Sequence, residues 1–127
     1  MMLIAQFMTW GPDNAEYSVK LEGEQSLSEV NIKYSIDSGQ QTVAAAMINF
    51  HFSDDTIRIS MSGLEVAVTS YVACLIACGL GNIVQEMRDC SRKVDLLACL
   101  KSKGNSITVT LLNRSISCQG GIVVDSS

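Results

Sequence analysis

Charged residues are scarce in this chain of 127 residues, making up 17% of it. An average soluble domain has roughly 25%. The chain also has one proline, one histidine and one tryptophan, and its nine glycines show no regular spacing. The low proline and irregular glycine content excludes collagen and proline-rich linkers. The apolar share of 47% excludes a disordered chain, because disorder needs low hydrophobicity and high charge.

Clusters of basic residues are also absent. Nine basic residues stand against 13 acidic ones, for a net charge of −4. A general nucleic-acid binder needs clustered Lys and Arg to displace counterions from phosphates. We therefore expect no nucleic-acid partner.

The length fits one ordinary domain, which we place over residues 1–127, since domains cluster at roughly 100–150 residues. The apolar N-terminus has no basic residue before Lys20, whereas a secretory signal starts with a basic region. The number of cysteines is odd, and four of the five lie in one apolar region. Disulfide scaffolds have even counts, so these features predict a cytoplasmic protein with reduced, buried thiols.

The first half of the chain alternates between apolar and polar residues, which is typical of strands with one buried face. Short breaks rich in Gly, Asn, Asp and Ser separate the segments and favour antiparallel neighbours. The pattern predicts a meander of five strands near 2–10, 15–22, 29–37, 43–52 and 56–61.

The apolar spacing changes to a helical period at Ser62. Ser62 and Glu65 match a capping box and predict a helix over 63–78 that is nearly fully buried. Gly79 fits its end, and Asn82 with Gln85 matches a second capping box. A second helix is therefore predicted over 83–103.

The tail returns to alternation, with short strands predicted at 107–111, 116–118 and 122–124. The fold class is thus α+β: an antiparallel meander, two consecutive helices and a C-terminal β-hairpin, with a single sheet packed on the helices.

Residues 66–84 carry no charge and are nearly long enough to span a bilayer. Ala73, Ala77 and Gly81 recur every fourth position, as in closely packed membrane helices. A membrane-associated protein is therefore one alternative. Polar residues inside the run and strands on both sides of it favour a core helix of a soluble fold.

Two arrangements of cysteine and histidine are candidate chemical sites. His51 with Cys90 or Cys118 could form the base and nucleophile of a cysteine-dependent enzyme. Cys74 and Cys78 lie one helical turn apart and are candidate metal ligands. Neither matches a recognised motif, so we expect no catalytic residue, no metal and no cofactor.

The sequence favours a non-enzymatic protein-binding module: an adaptor, chaperone-like or inhibitor protein of bacterial or phage type. A short chain with little charge and a positive mean hydropathy keeps apolar surface that a second copy can cover, so we expect a homodimer that also binds another protein. The first strand lacks charge, and an unprotected edge invites strand addition. Phe7, Trp10 and Tyr17 are the predicted interface residues.

Overall fold

A computed structural model of the chain describes residues 1–12, 14–53, 56–66, 69–90 and 95–119, and of 63–66 the backbone alone. These residues form five strands followed by three helices. The strands are β1 (Met2–Trp10), β2 (Glu16–Gln25), β3 (Glu29–Ser38), β4 (Gln41–Phe52) and β5 (Ile57–Val66). The helices are α1 (Ser70–Cys90), α2 (Leu96–Ser102) and α3 (Gly104–Cys118).

The predicted α+β class and five-stranded antiparallel meander are confirmed. The strands lie in the order β1-β2-β3-β4-β5, each paired antiparallel with the next. Alternate residues of the central strands are buried on one face, called here the core face, and the other face is the outer face. The core face of β2 to β4 includes Val19, Leu21, Val30, Ile32, Tyr34, Ile36, Ile48 and Phe50.

The helix predicted from residue 63 is wrong at its start, because β5 continues to Val66. Glu65 and Val66 pair with Ala45 and Ala44 of β4, so the backbone here is in the sheet ladder and Ser62 caps no helix. The long strand β4 supplies these partners, and the resulting hydrogen bonds outweigh a local capping preference. The cap of α1 is Thr69, whose Oγ1 accepts from the backbone N–H of Val72 at 3.2 Å.

The helix break predicted at Gly79 is also wrong, because α1 runs through it to Cys90 without a second cap at Asn82. A Cβ at Gly79 would lie 2.3 Å from the ring of Tyr34. This glycine therefore lets α1 approach β3 closely. Its role is in packing, not in ending a helix.

The single helix predicted over 83–103 is replaced by the end of α1 and the short helix α2. Asp95 caps α2, since its carboxylate accepts from the backbone N–H of Ala98 at 2.9 Å. Cys99 of α2 is joined to Cys90 of α1 by a disulfide. Residues 91–94 lie outside the described part of the chain.

The predicted C-terminal hairpin is wrong over 107–118, which forms α3. Ile107, Leu111, Ser115 and Cys118 are buried at helical spacing, on the side that packs on the rest of the fold. Thr108 and Thr110 alternate with apolar residues here, which is the pattern of a strand, and tertiary packing overrides that weak preference. The strand predicted at 122–124 falls outside the described residues.

The helices form one layer on the core face: α3 packs on β1, α2 on β1 and β2, and α1 on β3 and β4. The prediction that the first helix is nearly fully buried is wrong. One side of α1 is buried, whereas Ala73, Ala77 and Gly81 are exposed on the other. This layer determines which parts of the sheet remain open.

Candidate functional site

An apolar row on β5 remains uncovered, and we call it the β5 patch: Ile57, Ile59 and Met61. These residues lie opposite Phe52, Phe50 and Ile48 of β4. Directly opposed residues share a face of the sheet, so the patch continues the core face. Phe50 and Ile48 are buried, yet Ile57, Ile59 and Met61 are 37%, 39% and 61% exposed. The patch is thus the rim of the hydrophobic core, open to solvent.

At the opposite edge strand, β1, the core face is covered by α3. Ile4, Phe7 and Thr9 of β1 are buried. The Thr9 hydroxyl donates to Ser115 Oγ at 2.9 Å and lies 3.0 Å from the Tyr71 hydroxyl, in a buried network. A Cβ at Gly104 would meet the carbonyl oxygen of Ile4 at 2.5 Å, so α3 starts in direct contact with the backbone of β1.

The three predicted interface residues differ in their surroundings. Phe7 and Tyr17 are buried inside the chain, where the ring of Tyr17 lies 5.3 Å from that of Tyr71. Trp10 is 51% exposed, and its carbonyl accepts a hydrogen bond from the side chain of Gln119. An interface at β1 stays a prediction, and of the three only Trp10 offers its side chain to a partner.

The prediction of reduced thiols is wrong, because four of the five cysteines are paired. Disulfides join Cys74 to Cys118, between α1 and α3, and Cys90 to Cys99, between α1 and α2. The odd number of cysteines does not exclude disulfides here, because two pairs form and one thiol, that of Cys78, is left unpaired. The cysteines therefore bind the helical layer together covalently.

The free thiol lies beside one of these disulfides. The sulfur atoms of Cys74, Cys78 and Cys118 are all within 4.8 Å of one another, and we call this set the three-sulfur cluster. Burial raises the pKa of the Cys78 thiol, and the nearby Arg114 guanidinium lowers it by less. A cysteine binds metal as a thiolate, so Cys74 and Cys78 stay candidate metal ligands for the reduced protein alone, and the expectation of no metal stays a prediction.

The structure does not bring His51 to Cys90 or Cys118. His51 lies on the outer face of β4, between Glu29 and Arg58 on the neighbouring strands, whereas the cysteines lie in the helical layer on the core face. Both cysteines are also disulfide-bonded. The pairing proposed for a cysteine-dependent enzyme is therefore not formed.

No protein-family model, curated protein or solved structure matches this chain. Conclusions about function therefore depend on the chemistry of its own residues.

One described helix, α1, is long and apolar enough to cross a membrane by length and composition. Core helices of soluble proteins pass the same test. In this fold α1 packs on β3 and β4, and the Tyr34 hydroxyl donates to the carbonyl of Leu75 at 2.8 Å. These contacts with the sheet are those of a core helix.

Neither the β5 patch nor the three-sulfur cluster was recognised as a site from the sequence. The alternation of Ile57, Ile59 and Met61 correctly indicated one face of a strand, but exposure depends on where the helices stop. For the cluster, the spacing of Cys74 and Cys78 placed two sulfurs on one side of a helix. The third comes from α3, which the sequence pattern presented as strands.

Proposed function

We propose that this protein is a non-enzymatic protein-binding module that works as a homodimer, joined through β5 and the β5 patch. The supporting observation is that three neighbouring apolar side chains of an edge strand stay exposed on the face that elsewhere forms the core. Natural sheets protect an edge with charge, proline or a covering element. On the core face of this edge, the described side chains offer none of these.

A two-fold axis through Ile59 gives a pairing that covers the patch. In antiparallel pairing about this axis, Ile59 faces its own copy, and Ile57 faces Met61 of the second chain. Cross-strand pairs of this kind stabilise a sheet by roughly 0.2–1 kcal/mol each, in addition to the backbone hydrogen bonds gained by the edge. The two meanders would become one ten-stranded sheet, a size that open sheets reach.

Charge placement on the outer face supports the same register. Arg58 is the one charged residue of the segment 57–62. In this pairing Arg58 faces Ser60 of the second chain, so the two guanidinium groups are not directly opposed. Like charges directly opposite would destabilise the pair. The segment is therefore compatible with its own copy, and a second copy is the occupant we propose.

The test is the mass in solution of two matched variants. Ile59→Lys places two ammonium groups across the two-fold axis, and we expect it to give a monomer that keeps its circular dichroism spectrum. Met8→Lys adds the same charge at the other edge, at a side chain of similar exposure (43%) on the outer face of β1. We expect this control to remain dimeric by light scattering at micromolar concentration.

Each other outcome overturns part of the proposal. A wild-type protein that is monomeric at these concentrations would reject the homodimer. Dissociation by Met8→Lys but not by Ile59→Lys would move the interface to β1, where Trp10 lies. A monomeric wild-type chain that instead captures a different protein through Ile59 would keep the binding function and reject self-association.

The disulfides also bear on where the protein works. The sequence predicts a cytoplasmic location from an N-terminus without a basic region and from reduced thiols, and the disulfides contradict the second of these premises. Disulfides persist in oxidising compartments, so we propose that the protein works in one of them. Thiol titration of the denatured, unreduced protein from its natural source should detect one thiol per chain. Five thiols would restore the cytoplasmic prediction.

A further inference from the structure

The three-sulfur cluster combines a disulfide with a free thiol that is close to both of its sulfur atoms. Cys74 and Cys78 lie one turn apart on α1, and Cys118 approaches from the end of α3. All three sulfurs are within 4.8 Å of one another. Thiol–disulfide exchange occurs when a thiolate attacks one sulfur of a disulfide, and here the attacking group is already beside its target.

We propose that the cluster is an intramolecular thiol–disulfide exchange site, in which Cys78 replaces Cys74 as the partner of Cys118. The Cys78 thiolate attacks Cys118 Sγ, the bond between Cys78 and Cys118 forms, and the bond between Cys74 and Cys118 breaks. The electron pair of the broken bond leaves with Cys74 Sγ, which takes up a proton. One disulfide and one thiol are present before and after, so no oxidant or reductant is needed.

Helix geometry decides which of the two sulfurs is attacked. Attack on Cys74 would leave a disulfide between residues i and i+4 of one helix. Their Cβ atoms lie about 5–6 Å apart on a regular helix, whereas a disulfide needs roughly 3.5–4.5 Å. Attack on Cys118 gives a replacement link between α1 and α3, the two helices that the present disulfide joins with a Cα–Cα distance of 5.7 Å.

Exchange moves the covalent link by one turn along α1 and frees a thiol at Cys74. The second disulfide, between Cys90 and Cys99, joins α1 to α2 and lies outside the cluster. The two disulfides therefore have different roles: one is a fixed structural link, and the other is exchangeable.

The test is the position of a thiol label in the oxidised protein. Iodoacetamide is added to the folded, unreduced chain, and the product is digested with pepsin in acid, where thiols stay protonated and disulfides do not rearrange. Cleavage beside Leu75 separates Cys74 from Cys78 for mass spectrometry. We expect label on both cysteines, and chains labelled at Cys74 should carry a disulfide between Cys78 and Cys118.

Two variants complete the experiment. Cys78→Ser should retain the disulfide between Cys74 and Cys118 and take up no label. Cys74→Ala should form the disulfide between Cys78 and Cys118 under glutathione oxidation, with an unchanged circular dichroism spectrum. Label confined to Cys78 in the wild type, or two persistent thiols in folded Cys74→Ala, would overturn the proposal. The disulfide between Cys90 and Cys99 should be intact in every sample.

Discussion

The two edges of the sheet, β1 and β5, have similar apolar content on the core face and opposite surroundings. At β1 the core-face residues Phe7 and Thr9 are buried beneath α3. At β5 the corresponding residues Ile57, Ile59 and Met61 are exposed. The difference comes from the extent of the helical layer, which packs on β1 to β4.

This comparison shows that the apolar content of a strand does not indicate whether its own chain covers it. The lack of charge in β1 predicts an interface at that strand. In the structure α3 covers the core face of β1, and Phe7 is buried in the core. The strand left open is β5, whose single Arg58 in the segment 57–62 lies on the outer face.

Among substitutions at the two edge strands, the largest loss of stability is expected at Phe7. Phe7→Ala removes a buried ring beneath α3 and should lower the free energy of unfolding by about 3–5 kcal/mol. Ile59→Ala removes a partly exposed side chain of one unpaired edge and should lower it by about 1 kcal/mol in the monomer. Urea denaturation of both variants measures the difference.

Measuring stability at several protein concentrations distinguishes the two edges further. If β5 is the dimer interface, wild-type stability rises with protein concentration by mass action, and Ile59→Ala loses that rise. Phe7→Ala should keep it. Equal destabilisation by the two variants at low concentration would show that the edges are covered to the same degree.

A smaller loss of stability is expected at the start of α3, where this helix contacts the backbone of β1. Gly104→Ala brings a Cβ against the carbonyl oxygen of Ile4, and the backbone there must shift. Such overpacking typically costs about 1–3 kcal/mol, which urea denaturation can detect.

Gly81→Ala is the matched control for this prediction. A Cβ at Gly81 meets nothing within 4 Å on the exposed side of α1. An alanine there should stabilise the helix by about 0.5–1 kcal/mol. Changes of the same sign at Gly104 and Gly81 would contradict the close contact of α3 with β1.

The strands of the meander could be predicted because each of them alternates and each break contains turn residues. Their antiparallel order follows from short connections. The start of β5 near residue 57 was predicted, but its end was not. A capping box at Ser62 and Glu65 is a local signal, whereas pairing of Glu65 with Ala45 depends on a residue twenty positions away.

The helical region could not be divided correctly from local signals for the same reason. Gly79 is typical of a helix end in the sequence, and only the fold shows that the ring of Tyr34 packs against it. Residues 107–111 read as a strand until burial of Ile107 and Leu111 at helical spacing is seen. The cysteine pairs join separate helices, so spacing along the chain does not reveal them.

A modest effect is expected at the centre of the covered region, where Tyr34 donates to the carbonyl of Leu75. Tyr34→Phe removes this hydrogen bond and should cost about 1 kcal/mol at pH 8. Burial raises the pKa of the Tyr34 phenol above its ordinary value, and the neighbouring Cys78 and Tyr71 raise it further. Burial likewise raises the pKa of Tyr71. The hydrogen bonds of Tyr71 to Thr9 and Ser115 lower that pKa by a smaller amount.

These shifts give the sign of the alkaline pH dependence. An unfolded tyrosine ionises near pH 10, whereas the folded Tyr34 stays neutral to higher pH. The unfolded state therefore releases protons first, and stability that is fully present below pH 10 falls as the pH rises above it. Urea denaturation between pH 8 and pH 11, in a Cys78→Ser background that prevents disulfide exchange, should show a shallower fall for Tyr34→Phe. The remaining slope includes the contribution of Tyr71. Identical slopes with and without the Tyr34 hydroxyl would contradict its burial beneath α1, and with it the contrast between the covered sheet and the open β5 edge.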